Sequence, residues 1–186
     1  KTIINIQRVH EKICELSFRL PKIALNQYVN RCLIDEIILT NDIEGVYSTR
    51  REISAVLADL KKKDRKNRFF GLVNKYRLLN ERQKIDLDNS YDVRKLYDEL
   101  FYQEVLEEDP EDLPDGRIFR KGSVSVTDPA QRVLHEGLMP EEAIIKAMDK
   151  ALEILNNQSI DIIIRTALFH YLFGYIHPFY EGNGRM

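Results

Sequence analysis

The chain has 186 residues, enough for one compact domain with a small appendage, and 44% of them are hydrophobic, enough for a sizeable core. Its 28 basic and 30 acidic residues leave a net charge of −2, which argues against a nucleic-acid coat or a membrane-surface binder. No signal peptide or apolar run of membrane length is visible, and the two cysteines, Cys14 and Cys32, lack CxxC spacing, so reduced, buried thiols in a cytoplasmic protein are expected.

Helical periodicity dominates. Ile6, Val9, Ile13 and Leu16 mark a helix over Ile3–Leu20 that stops before Pro21. Leu25, Val29, Leu33, Ile37 and Ile38 mark a second over Ala24–Asn41, with Gly45 as its terminator. Thr49 and Glu52 have capping-box spacing and open a third helix that is expected to end in Lys61-Lys62-Lys63. Lys61–Arg68 reads as a solvated helix end and turn. Further helices are predicted over Arg68–Asn80, Asp92–Glu107, Pro140–Asn156 and Ile160–Tyr175, with Pro140 at the first position of its helix. Glu107–Asp115 lacks EF-hand spacing and reads as a solvated acidic loop. The helical period breaks at Arg117–His135. Ser123-Val124-Ser125-Val126 alternates like a strand, Asp128-Pro129 begins a turn, and Arg132-Val133-Leu134-His135 is the return strand. A lone hairpin among helices either decorates them or offers its edge to a partner.

The most informative residues are His177-Pro178-Phe179-Tyr180-Glu181-Gly182-Asn183-Gly184-Arg185. A helix entering Pro178 must end there or just before. Gly182-Asn183-Gly184 tolerates left-handed backbone, and successive amides in such a turn converge on an anion. Arg185 offers a forked cation to phosphate, and Glu181 a carboxylate to Mg²⁺. His177 supplies a base that titrates near neutral pH, and Phe179 an inward anchor. Each part has an ordinary alternative: a capping histidine, a plain turn, a surface ion pair. Together they form a kit for phosphoryl or nucleotidyl transfer. His170, seven residues before His177, has no carboxylate companion and reads as structural.

This stretch resembles the Fic/Doc family motif HPFx(D/E)GNGRxxR, and positions 177 to 185 match it at every specified residue. The resemblance implies a mainly α fold with one β-hairpin flap, a protein AMP-transferase activity, and ATP and Mg²⁺ as ligands. By that resemblance His177 deprotonates a Ser, Thr or Tyr hydroxyl, Glu181 holds the metal, and Gly182, Asn183, Gly184 and Arg185 bind the phosphates. Val124, Ser125, Val126, Arg132, Val133 and Leu134 become a flap that binds an unidentified protein target by strand addition. Upstream, Thr40-Asn41-Asp42-Ile43-Glu44-Gly45 is similar to the family's inhibitory motif (S/T)xxxE(G/N). That resemblance implies an N-terminal helical region over 1–60 in which Glu44, helped by Thr40, blocks the γ-phosphate position of a core over 61–186. The motif's second arginine falls beyond Met186, so the chain reads as a piece of a longer polypeptide whose activity needs that continuation. Removal of AMP from a modified protein, or nucleotide binding in a non-catalytic interaction module, are the alternatives. Neither a membrane nor a nucleic-acid partner is expected, and a homo-oligomer is left open.

Overall fold

The computed structural model describes residues 2–60 and 67–186, which form two compact units, Lys1–Ser54 and Ala55–Met186. The lysine run expected to end the third helix lies outside the described residues.

In the first unit, α1 (Thr2–Phe18) and α2 (Lys22–Ile43) meet the predicted helices to within two residues at each end. Leu33, Ile34, Ile37 and Asn41 of α2 are buried, whereas α1 buries none of its residues. The end of α2 is fixed by its backbone. Gly45 is left-handed, with φ 76°, and its N–H donates to the Asp42 carbonyl at 3.1 Å. The Val46 N–H donates to the Asn41 carbonyl at 2.8 Å, completing a Schellman turn. Glu44 is therefore the C-cap residue, exposed, with its N–H on the Thr40 carbonyl. Thr49 caps α3 (Arg50–Asp59), its hydroxyl accepting the Glu52 N–H at 3.2 Å, and the unit boundary falls inside this helix. The cysteines differ from expectation: Cys32 is exposed, off the buried face of α2, and Cys14 is half-buried on α1, which buries none of its residues.

The second unit is built on α5 (Ser90–Glu108), which packs on α4 (Phe70–Asn80) and on α6 (Glu141–Asn156). α6 in turn packs along α7 (Ile162–Ile176). Val93, Tyr97, Leu100, Phe101 and Val105 of α5 form the core with Ile144, Met148 and Leu152 of α6. α5 begins two residues earlier than its apolar period suggests. Asn89 accepts the Tyr91 N–H, while Asp92 reaches back to the Asn89 N–H, a box that spends the first turn on polar groups. Pro140 is the N-cap of α6 rather than its first residue, and Asp161 caps α7 by accepting the Ile163 N–H.

The hairpin forms as β1 (Ser125–Thr127) and β2 (Val133–Glu136), antiparallel, with Val126 opposite His135 and an irregularity between Val126 and Thr127. Asp128 makes the turn: its carboxylate accepts the Ala130 and Arg132 N–H groups, and Gln131 is left-handed at φ 60°. The architecture is the mainly α fold with one hairpin that the sequence implies. None of the described helices is long and apolar enough to cross a membrane.

Candidate active site

α7 is strongly apolar and runs straight into the motif. It ends at His177, whose backbone is left-handed, with φ 52° and ψ 64°. A non-glycine residue there costs about 1–2 kcal/mol, a cost that surrounding contacts must hold in place. The turn also ends the helix one residue before Pro178, as proline requires. The His177 ring is half-buried. Its Nδ1 lies 3.3 Å from the Gly174 carbonyl, which can only accept, so Nδ1 carries the proton and Nε2 keeps the lone pair. Burial holds the imidazole below its usual value. The Gly174 carbonyl opposes that shift, and the neighbouring Arg120 charge and the His135 ring add to it. The ring is thus a neutral base near pH 7.

Beyond His177 the loop is fastened from inside. Phe179 is fully buried and stacks on Tyr97, ring centroids 3.8 Å apart, with Phe119 edge-on at 5.4 Å. Asn183 exchanges two bonds with the Phe179 backbone: Phe179 N–H to Oδ1 at 3.0 Å, and Nδ2 to the Phe179 carbonyl at 2.8 Å. Gly182 is left-handed at φ 80°, and a Cβ there would stand 3.3 Å from the Phe101 ring as well as being strained. A short 3-10 turn, Asn183–Arg185, closes the loop.

Two expected phosphate ligands turn out to face inward. Asn183 is nearly buried, with its amide committed to the loop's own backbone. The Arg185 side chain is 1% exposed and donates from Nη1 to Glu104 Oε1 at 2.6 Å, above the Phe101 ring. A forked cation that meets a carboxylate in the interior is held there by it. Burial pushes the Glu104 carboxyl up, against the pull of Arg185. Gly184 is exposed and Glu181 half-exposed, with its Oε1 4.0 Å from Arg185 Nη2. Among the described residues no three His, Cys, Asp or Glu side chains gather as a metal cluster, and His170 is exposed on α7 without such companions. A lone, accessible carboxylate beside a glycine loop fits Mg²⁺, which takes one or two carboxylates and completes its shell with water and phosphate oxygens.

Several residues that support the site carry no motif. Arg120 donates to the His177 carbonyl at 2.9 Å. Glu141, at the first turn of α6, accepts the N–H groups of Arg117, Ile118 and Phe119 and so fixes the segment before Arg120. Burial raises its carboxyl, but those three donors and the Arg117 charge outweigh that and leave it lowered. The Tyr180 hydroxyl accepts the Gly122 N–H at 2.7 Å and donates to Asp115 at 3.0 Å. His135 of β2 donates from Nε2 to the Tyr175 carbonyl at 2.7 Å, placing the hairpin beside the end of α7. The flap residues Val126, Val133 and Leu134 are exposed, whereas Arg132 is paired with Asp128. A cavity of about 840 Å³ between α4 and α5, lined by Asn74, Lys75, Arg94 and Lys95 among others, shares none of the motif residues.

The curated proteins include no match to this chain. Among solved structures, a Fic family protein from Desulfovibrio desulfuricans G20 is similar, with a TM-score of 0.59 and 23% identity over 97% of this chain and 54% of that one. The chain thus spans about half the length of that relative, and at this identity the likeness speaks for the fold alone. The sequence pattern of the Fic/DOC family matches residues 86–186, more than half of the chain, from the start of α5 through the hairpin to the motif loop. The chain belongs to the Fic/DOC family.

Proposed function

We propose that the protein is a nucleotidyltransferase that moves AMP from ATP onto a Ser, Thr or Tyr hydroxyl of a protein target, in the cytoplasm, and that it is restrained by its own α2. The observation that carries this reading is His177 itself. It is a neutral imidazole with Nδ1 committed to the Gly174 carbonyl and Nε2 available, at the mouth of a loop braced by Phe179 and Asn183.

In this reading Nε2 takes the proton of the acceptor hydroxyl as its oxygen attacks the α-phosphorus, and pyrophosphate leaves. The backbone N–H groups of the turn at Gly182 and Gly184 receive phosphate oxygens, and Gly184, exposed and without a Cβ, lets them approach closely. Glu181 would hold Mg²⁺, which supplies charge neutralisation to the phosphates when bound. Arg185 serves by holding the loop to α5 through Glu104 rather than by touching phosphate. The exposed hairpin receives an extended segment of the target through backbone bonds. Glu44, exposed at the end of α2, is the group that would compete with the γ-phosphate, and Thr40 lies one turn before it.

The test is His177→Ala. Transfer of labelled AMP should fall to background while calorimetry finds Mg·ATP binding nearly unchanged, because the base acts on the acceptor and not on the nucleotide. Undiminished transfer by the variant would remove His177 from the chemistry.

A further inference from the structure

Arg120 is fully buried, yet every group it reaches is uncharged. Nε donates to the His177 carbonyl at 2.9 Å, Nη1 to the Gly122 carbonyl at 2.6 Å, and Nη2 to the Leu138 carbonyl at 3.0 Å. Nη1 also lies 3.5 Å from Met139 Sδ, and the Arg120 N–H donates to the Pro178 carbonyl at 3.3 Å. A buried guanidinium facing carbonyls gains no ion pair to offset its desolvation. What it gains is geometry, since a rigid planar fork ties three separate segments at fixed angles. Those segments are the turn at His177, the chain entering β1 at Gly122, and the chain leaving β2 at Leu138. Two backbone bonds flank the fork, Gly137 N–H to the Val124 carbonyl and Leu138 N–H to the Ile176 carbonyl. The packing has no slack, because a Cβ on Gly137 would collide with Arg120 Nη2 and stand 3.1 Å from His177 Cβ.

We propose that Arg120 is a positioning residue that locks both roots of the hairpin to the His177 backbone, so that an acceptor strand on the hairpin meets the imidazole at one fixed distance. The role rests on the reading of His177 as base and of the hairpin as acceptor platform, but the lock itself is a property of the chain. The charged and titratable groups beside the His177 ring are Arg120, from the segment before β1, and His135, from β2. Arg120→Met removes fork and charge, whereas Arg120→Lys removes the fork and keeps the charge.

The experiment is amide exchange together with an NMR titration of the His177 ring in the protein, with both Arg120 variants. In Arg120→Met, the amides of residue 120, Gly137 and Leu138 should exchange at least about tenfold faster, and His177 should titrate higher. The Asp128 amide at the hairpin tip and the amides of α6 should keep their rates. Arg120→Lys should restore the titration but not the exchange. In a transfer assay, kcat/KM for the protein acceptor should fall about a hundredfold in Arg120→Met with Mg·ATP affinity intact. Junction exchange like that of wild type, or acceleration spread equally to the tip and α6, would overturn the lock. Should Arg120→Met fail to fold, Gly137→Ala crowds the same fork with Arg120 present; it should give the same local acceleration, and an unchanged junction would overturn the lock. Exchange and titration need no transfer, so the lock can fail while AMP transfer stands, and an active His177→Ala would sink the transfer reading alone.

Discussion

Burial and the neighbouring charges hold the His177 imidazole below the ordinary value of about 6.5, so the unfolded chain binds its proton more tightly than the folded one. The contribution of His177 to stability is therefore complete above the ordinary value and is lost as pH falls through it toward the folded value. For activity the acid limb of the pH–rate profile should lie below about pH 6.5, read from kcat/KM against pH. A limb above that value would assign the essential base to another group. Asn183 is the second decisive residue. Asn183→Ala leaves the buried N–H and carbonyl of Phe179 without partners, and urea unfolding should show a loss of about 2 kcal/mol. Both residues are legible in the motif, because base and glycine loop are contiguous in sequence. Their geometry is not: the left-handed turn at His177 and the inward amide of Asn183 depend on what α5 and Arg120 present to them. The ion pair of Arg185 with Glu104 spans 81 positions and the bond from Arg120 to His177 spans 57, distances at which a single sequence carries no pairing signal.

Among the elements, α5 bears the site from beneath. Tyr97, Phe101 and Glu104 lie on one face of it and meet Phe179, Gly182 and Arg185. Its apolar period is readable in the sequence, but its start is not, since the box formed by Asn89 and Asp92 lies ahead of the first apolar residue. Asn89→Ala should lower stability by about 1 kcal/mol without altering transfer, because the cap is on the first turn and touches no motif residue. The attachment of the loop to α5 should cost more to break. Glu104→Met takes away the carboxylate that the buried Arg185 charge faces and should cost about 3–5 kcal/mol in urea unfolding. The double change Glu104→Met with Arg185→Met removes both charges and should recover most of that loss, since an apolar pair fills the same space without desolvated ions. A double variant no more stable than Glu104→Met would mean that the pair is not coupled. The hairpin is the counterpart above the site. Its strand alternation and Asp128-Pro129 turn are visible in the sequence, while the anchoring of its roots by Arg120, Tyr180 and His135 appears only in three dimensions.

For the whole molecule, the fold rests on helices whose period the sequence displays and on a family match that covers the second unit from α5 onward. If the Glu44 carboxylate competes with the γ-phosphate, Glu44→Gly should raise AMP transfer at saturating Mg·ATP without lowering the melting temperature, and Glu44→Asp should give a smaller gain. Glu44 caps the last turn of α2 through its backbone, which glycine can also supply, so the helix end should survive the change. Equal rates for wild type and Glu44→Gly would leave α2 as a structural element only.

The reaction class is tested most directly by the position of the transferred phosphorus. The protein is incubated with Mg·ATP labelled at the α-phosphate or, in parallel, at the γ-phosphate, and acceptor protein is examined for label. An AMP-transferase using His177 should place the α-label on a protein hydroxyl, with none from the γ-position and none in His177→Ala. Label arriving from the γ-phosphate, or α-label that persists without His177, would contradict it.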